Sequence, residues 1–262
     1  LIDKVSQTNH KINNTDFYSF NGQRLILKSG SGTNGGNGAE YVTEKYSNIK
    51  IKSLGAISGQ TWQGPEYWEV TFEDGSQAWY GATTTGTSSA RTPIEYNIVK
   101  WKDAQGNYIT YNYTQANNVA VISSIQWGGN ETISKAHFNQ IIFNYATRDL
   151  KEQSYVNGVS FIQDKILSNV VVNANGSQFK KYLIEYTKDP NGNQYQFVNK
   201  ITEYNAANEA ANPVIFEQQK DKSTSTLGNN NAFNFDDVKL SGDFDGNGAI
   251  DNIVYAYSKQ IT

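Results

Sequence analysis

Three features of the sequence predict an all-β protein, a largely antiparallel meander of curved sheet. Aromatic residues carry the apolar content: 17 Tyr, 12 Phe and 5 Trp make 13% of the 262 residues, within a hydrophobic fraction of only 37%. Such rings suit a pleated, half-wet surface better than a helix interior. Apolar and polar residues alternate at period 2 through much of the chain, the spacing that sends successive side chains to opposite faces of a strand. One tight-turn device also recurs. In Trp101-Lys102-Asp103-Ala104-Gln105-Gly106-Asn107-Tyr108, Asp103 and Asn107 can bond the local backbone and Gly106 can take positive φ. Beyond the turn, Tyr111 and Tyr113 share one face while Thr110 and Asn112 share the other. Asp189-Pro190-Asn191-Gly192-Asn193, followed by Tyr195 and Phe197, repeats the device. Looser versions stand at Phe72-Glu73-Asp74-Gly75-Ser76 and Trp127-Gly128-Gly129-Asn130.

Taken in order, Phe17, Tyr18 and Phe20 lead into Asn21-Gly22 and the short strand Arg24–Leu27, an opening hairpin. The stretch from Ser29 to Gly38 contains Gly-x-Gly-x-x-Gly after a strand, but a dinucleotide site needs a helix to open there. Tyr41–Tyr46 and Ile49–Lys52 alternate like strands instead, so a flexible loop is expected. Trp62, Tyr67, Trp68, Phe72, Trp79 and Tyr80 follow. Trp68, Val70 and Phe72 separate onto an apolar face, which makes core packing the expected role and a sugar-stacking platform the alternative. Ala82–Thr92 reads as an exposed loop, and Val119–Ile122, Phe138–Tyr145, Leu167–Val172 and Tyr182–Tyr186 as further strands. Arg148-Asp149 is a candidate ion pair at a strand end. Thr202–Asn212, stopped by Pro213, is a weak helical patch better read as a loop, and the polar run Lys220–Asn231 is the expected boundary between domains.

Composition excludes several classes. A net charge of −3 with scattered Lys and Arg leaves no footprint for nucleic acid, and no apolar run reaches the ~18–20 residues of a membrane-spanning helix. Without cysteine there is no disulfide, thiolate nucleophile or Cys-based zinc site. The chain also lacks methionine, as expected of a piece of a longer protein. His10 and His137 stand far apart, and no Gly-x-Ser-x-Gly, P-loop or His-Glu-x-x-His sequence occurs, so no catalytic residues are expected.

The sharpest chemical signal lies near the C-terminus. Asp243, Asp245, Asn247 and Asp251 occupy positions 1, 3, 5 and 9 of an Asp-x-Asp-x-Asn-Gly loop, with the carbonyl of Ala249 at position 7. Hard oxygen donors on one tight turn suit Ca²⁺. The alternating Asn252–Tyr257 that follows points to a structural site on a strand rather than to a helix–loop–helix sensor.

In their order along the chain, a set of short stretches resembles the N-terminal SpvB/TcdB family of toxin-complex B components and Rhs-type polymorphic toxins. They are Asn21-Gly22-Gln23-Arg24-Leu25, Trp68-Glu69-Val70 with Asp74-Gly75 and Tyr80-Gly81, Asp103-x-x-Gly106-Asn107 with Tyr111-x-Tyr113, and Phe143-x-Tyr145-x-x-Arg148-Asp149. Tyr182-Leu183-Ile184-x-Tyr186, Pro213-Val214-Ile215-Phe216 and Gly242-Asp243-Phe244-Asp245-Gly246-Asn247-Gly248 complete it. The Asp-x-x-Gly-Asn hairpins look like YD repeats, and the last loop looks like an FG-GAP/VCBS repeat that begins a β-propeller. The resemblance implies residues 1–231 as a β-shell domain and 232–262 as a partial Ca²⁺-binding repeat. It also implies a non-catalytic segment of a secreted or cell-surface bacterial toxin, whose partners are the rest of the parent protein (shell, propeller and cargo), export machinery or other toxin components. The rival expectation is a cell-surface adhesin or carbohydrate-binding β module, marked by two or three exposed rings in a shallow groove.

Overall fold

Asn21 and Gly22, at φ 49° and 77°, close the first hairpin, and the same pair of positive φ values recurs at Asn117-Asn118, Asn157-Gly158 and Asn175-Gly176. Two successive left-handed residues match the twist of the strands they join, which is why Asn and Gly stand there. The computed structural model describes residues 2–5, 12–13, 15–60, 62–188, 195–217, 238–242 and 251–254. Among them there are strands and no α-helix, as the alternating pattern predicts.

Short strands come first: β1 Ile2–Val5, β2 Phe17–Phe20, β3 Gln23–Leu27, β4 Glu40–Thr43, β5 Lys50–Leu54, β6 Tyr67–Thr71, β7 Gln77–Tyr80, β8 Glu95–Tyr96 and β9 Ile98–Lys102. Longer ones follow: β10 Asn107–Ala116, β11 Val119–Asn130, β12 Asn139–Val156, β13 Val159–Ala174, β14 Ser177–Lys188 and β15 Gln196–Tyr204, then β16 Val214–Ile215. These form one 16-stranded antiparallel sheet in the order β16-β15-β14-β13-β12-β11-β10-β9-β7-β6-β5-β4-β3-β2-β1-β8. Because β8 pairs with β1 while β9, one residue further on, pairs with β7, the early strands curl round a common core. A separate two-stranded ladder joins β17 Val238–Gly242 to β18 Asp251–Val254.

Trp68 is the centre of that core, fully buried, with the rings of Tyr18, Tyr41 and Tyr96 edge-on at 4.8, 5.2 and 5.9 Å. Edge-to-face pairs at this range add to what their burial contributes. Val70 and Ala78 are also fully buried, and Phe72 packs partly against the cluster, so the apolar face read from Trp68, Val70 and Phe72 is a core face.

Several details depart from expectation. The glycine-rich segment after β3 opens no helix, but it is held: Gly35 N–H donates to Tyr41 Oη at 2.6 Å, Ser53 Oγ donates to the Gly36 carbonyl at 2.7 Å, and Asn34 Nδ2 reaches the Asp16 carbonyl at 2.8 Å. Within Ala82–Thr92 only the middle is exposed, because Ala90, Arg91 and Thr92 turn into the fold. Gly128 and Gly129 sit inside β11 rather than on a turn. A Cβ there would lie 2.5 Å from the rings of Phe138 and Tyr108, and Gly128 also holds φ 88°, so neighbouring aromatics and backbone together require glycine. Thr202–Tyr204 continues β15 instead of entering a loop. Arg148 and Asp149 pair elsewhere, Arg148 with Glu152 and Asp149 with Lys188 at 3.0 Å, as successive residues of a strand point to opposite faces. Lys220–Asn231 and the second Asp-x-x-Gly-Asn turn fall outside the described residues.

Candidate functional site

The register of the sheet assigns its faces, since residues directly across a ladder point the same way. Tyr41, Ile51, Val70, Ala78, Trp101 and Ile109 make one row across six strands. Tyr111, Ile125, Ile141 and Val172 make the next, and Phe143, Val170 and Tyr182 a third. Ile109 and Tyr111 lie two apart on β10, so the rows share a face. That face begins as buried core at Tyr41, Ile51, Val70 and Ala78 and becomes half-covered from Trp101 onward. Its apolar character persists where its cover ends.

Bulges bend this part of the sheet. Register shifts fall at Asn112/Tyr113 on β10–β11 and at Asn144/Tyr145 on β12–β13. In each case a tyrosine from the adjoining strand donates its hydroxyl to a carbonyl beside the irregularity: Tyr145 to Ile122 at 2.7 Å and Tyr186 to Leu167 at 2.6 Å. The bend is deep enough for the β10–β11 turn to reach past β12, where Ile162 N–H donates to the Asn117 carbonyl at 3.1 Å and Asn118 Nδ2 to the Ser160 carbonyl at 3.0 Å. Burial pushes the hydroxyls of Tyr80 and Tyr113 up to about 12 and raises those of Tyr111, Tyr145 and Tyr186.

The opposite face carries charge. Lys100 Nζ lies 5.0 Å from the Trp79 ring centroid and 5.5 Å from that of Tyr108, and both Lys100 and Lys102 pair with Glu131. His137 packs on Tyr108 at 4.1 Å and shares a 3.0 Å hydrogen bond between Nε2 and Thr110 Oγ1. Burial, with Lys100 nearby, lowers its pKa. In the recurrent turn, Asp103 Oδ1 accepts from the N–H groups of Gln105 and Asn107 at 2.9 and 2.8 Å, and Gly106 holds φ 90°. Asn107 Nδ2 donates to Asp103 Oδ2 at 2.7 Å, and these bonds, the side-chain one foremost, lower the Asp103 pKa.

Of the Ca²⁺ ligands predicted from sequence, Asp243, Asp245, Asn247 and Ala249 lie outside the described residues. Asp251 opens β18, opposite Gly242, so the ladder brackets the loop that would hold the ion. Among the described residues no group of three or more His, Asp and Glu side chains is placed to bind a metal.

A half-open cleft of about 470 Å³ lies between the β10–β11 turn and the segments that precede β6 and β8; its walls include Trp62, Glu66, Arg91, Gln115, Asn117 and Asn118. Arg91 is 9% exposed and donates to the carbonyls of Glu66 and, at 3.2 Å, Gly86. Burial lowers its pKa, while Glu66 acts the other way. Apart from Trp62, none of these side chains stands out in the sequence. The consecutive asparagines at a two-residue hairpin turn, and one arginine in a small, hydroxyl-rich loop, are the signals that could have found them.

No protein-family model matches the chain, and no curated protein matches it. Solved structures do. In fold the chain is similar to the N-terminal domain of the effector protein SpvB from Salmonella typhimurium strain LT2, with a TM-score of 0.56 at 13% identity over 78% of this chain and 86% of that one. It is similar to part of TcdB2-TccC3-Cdc42, at TM-score 0.56 and 11% identity, over 84% of this chain but only 14% of that one. The Photorhabdus luminescens Tc holotoxin pore gives TM-score 0.56 at 10% identity, over 80% and 13%. At such identities the likeness is one of fold: an open, curved antiparallel meander shared with the SpvB N-terminal domain and with a small part of the toxin-complex chains.

Proposed function

We propose that this chain is a non-catalytic architectural segment of a large secreted bacterial toxin of the Rhs or toxin-complex kind, contributing sheet to a β-shell that encloses a toxic cargo. The carrying observation is the apolar face that runs from buried core into half-covered sheet as far as Val172 and Tyr182, across from which Lys180 and Glu203 end the rows and pair with each other. A single layer richer in rings and branched aliphatics on one side, and richer in Lys, Glu and amides on the other, has an inside and an outside. The solved structures similar in fold include parts of multi-component toxins, which supports the reading at the level of fold. The YD-type hairpins and a Ca²⁺-stabilised FG-GAP-like repeat belong to the same proposal. The partners would be the rest of the parent protein and other toxin components.

Limited proteolysis of the parent protein tests the enclosure. Trp68→Ala removes the centre of the core at a cost of about 3–5 kcal/mol. The cargo region is expected to resist trypsin in the native protein and to be cut once this segment is destabilised. Equal cleavage in both would contradict enclosure by this segment.

A further inference from the structure

The cleft beside the β10–β11 turn differs in chemistry from the apolar face of the sheet, its lining being mostly polar. We propose that it is a binding site for an uncharged saccharide. At about 470 Å³ it falls within the range of small-ligand sites. Its walls hold one carboxylate, Glu66, and one guanidinium, Arg91, whose charges act on each other. The lining itself is therefore balanced in charge, and the further carboxylate beside it, Asp164, is engaged by the Asn117 amide. The rest of the polar lining is amide and hydroxyl.

Those amides are held in advance. Gln115 Nε2 donates to the Arg91 carbonyl at 2.9 Å, Asn117 Nδ2 to Asp164 Oδ2 at 3.2 Å and Asn118 Nδ2 to the Ser160 carbonyl at 3.0 Å. Each bond fixes the plane of an amide by its nitrogen and leaves its oxygen to accept from a ligand. Ser58 and Thr87 add hydroxyls that both donate and accept. Sugar hydroxyls also do both, so a wall of fixed amide oxygens, hydroxyls and one guanidinium can pair them in either sense. Trp62, only 8% exposed, backs the wall and leaves recognition to these polar groups. Because the turn is tied on one side to Arg91 and on the other to β13, little ordering remains to be done on binding.

The test is saturation-transfer NMR on the 262-residue chain with free glucose, galactose, mannose, N-acetylglucosamine, cellobiose and lactose, and with glucuronate and glucosamine as charged counterparts. At least one neutral sugar should give a saturable signal stronger than that of either charged one. Ala116→Trp, which fills the cleft without removing any of the bonds above, should weaken that binding at least about tenfold while leaving the thermal unfolding midpoint in place. Thr87→Trp at the rim gives the same readout should the first variant fail to fold. No saturable signal from any neutral sugar, stronger binding of a charged one, or undiminished binding in a folded variant would overturn the assignment.

Discussion

At the scale of single residues, tyrosine does two jobs in this molecule. Tyr18, Tyr41 and Tyr96 surround Trp68 and build the core, while Tyr145 and Tyr186 donate their hydroxyls to carbonyls beside sheet irregularities. Removing only the hydroxyl separates the roles. Tyr145→Phe and Tyr186→Phe should each lower stability by about 0.5–1.5 kcal/mol, read as a fall in the urea midpoint, because each leaves a partly buried carbonyl without its donor. The buried tyrosines also set an alkaline limit. Tyr80 and Tyr113 hold their protons to about 12, whereas in the unfolded chain tyrosine loses its proton near 10. Above ~10 the folded state binds more protons than the unfolded, so this contribution to stability is complete below that pH and lost as pH rises toward 12. The last part of the phenolate absorbance near 295 nm should therefore appear together with unfolding by circular dichroism in that window; ionisation of all 17 tyrosines in a chain still folded would refute it.

At the scale of elements, the strands and their turns were largely legible, since period-2 alternation and Asn-Gly, Asp-x-x-Gly-Asn and Asp-Gly signals are local. What was not legible depended on neighbours distant in sequence. Gly128 and Gly129 resemble a turn, yet their smallness answers to Phe138 and to Tyr108 on the paired strand. The length of β12 and β13 was hidden because bulges interrupt the alternation. The cleft is the clearest case: residues 62, 66, 91 and 115–118 converge only after the sheet has curled, and the local signals, paired asparagines and one arginine in a hydroxyl-rich loop, do not say that they meet. The proposed Ca²⁺ loop is the opposite case, a purely local sequence pattern that lies between β17 and β18. The ion's role as a structural ligand is tested by the double change Asp243→Asn and Asp245→Asn. In the native chain a chelator should lower the unfolding midpoint and added Ca²⁺ restore it, while the variant should respond to neither; a native chain indifferent to chelator would remove the metal.

At the scale of the whole molecule, the central feature is one sheet whose apolar face is sealed at one end and half-covered at the other. A sandwich would cover both ends, and a sheet made to stand alone in water would place polar residues on the uncovered rows. Here Tyr111, Ile125, Ile141 and Val172, and then Phe143, Val170 and Tyr182, carry the apolar pattern onward. That asymmetry is what the shell proposal explains. The chain has no cysteine, so a single thiol can be placed at will. Val171 and Val172 are neighbours on β13, facing opposite sides and both half-buried. The most direct measurement is the maleimide labelling rate of Val171→Cys and Val172→Cys, in the isolated chain and in the parent protein. The account predicts similar rates for both in isolation, and in the parent a protected thiol at 172 beside a reactive one at 171. A thiol at 172 that reacts as fast in the parent as in the isolated chain would contradict it.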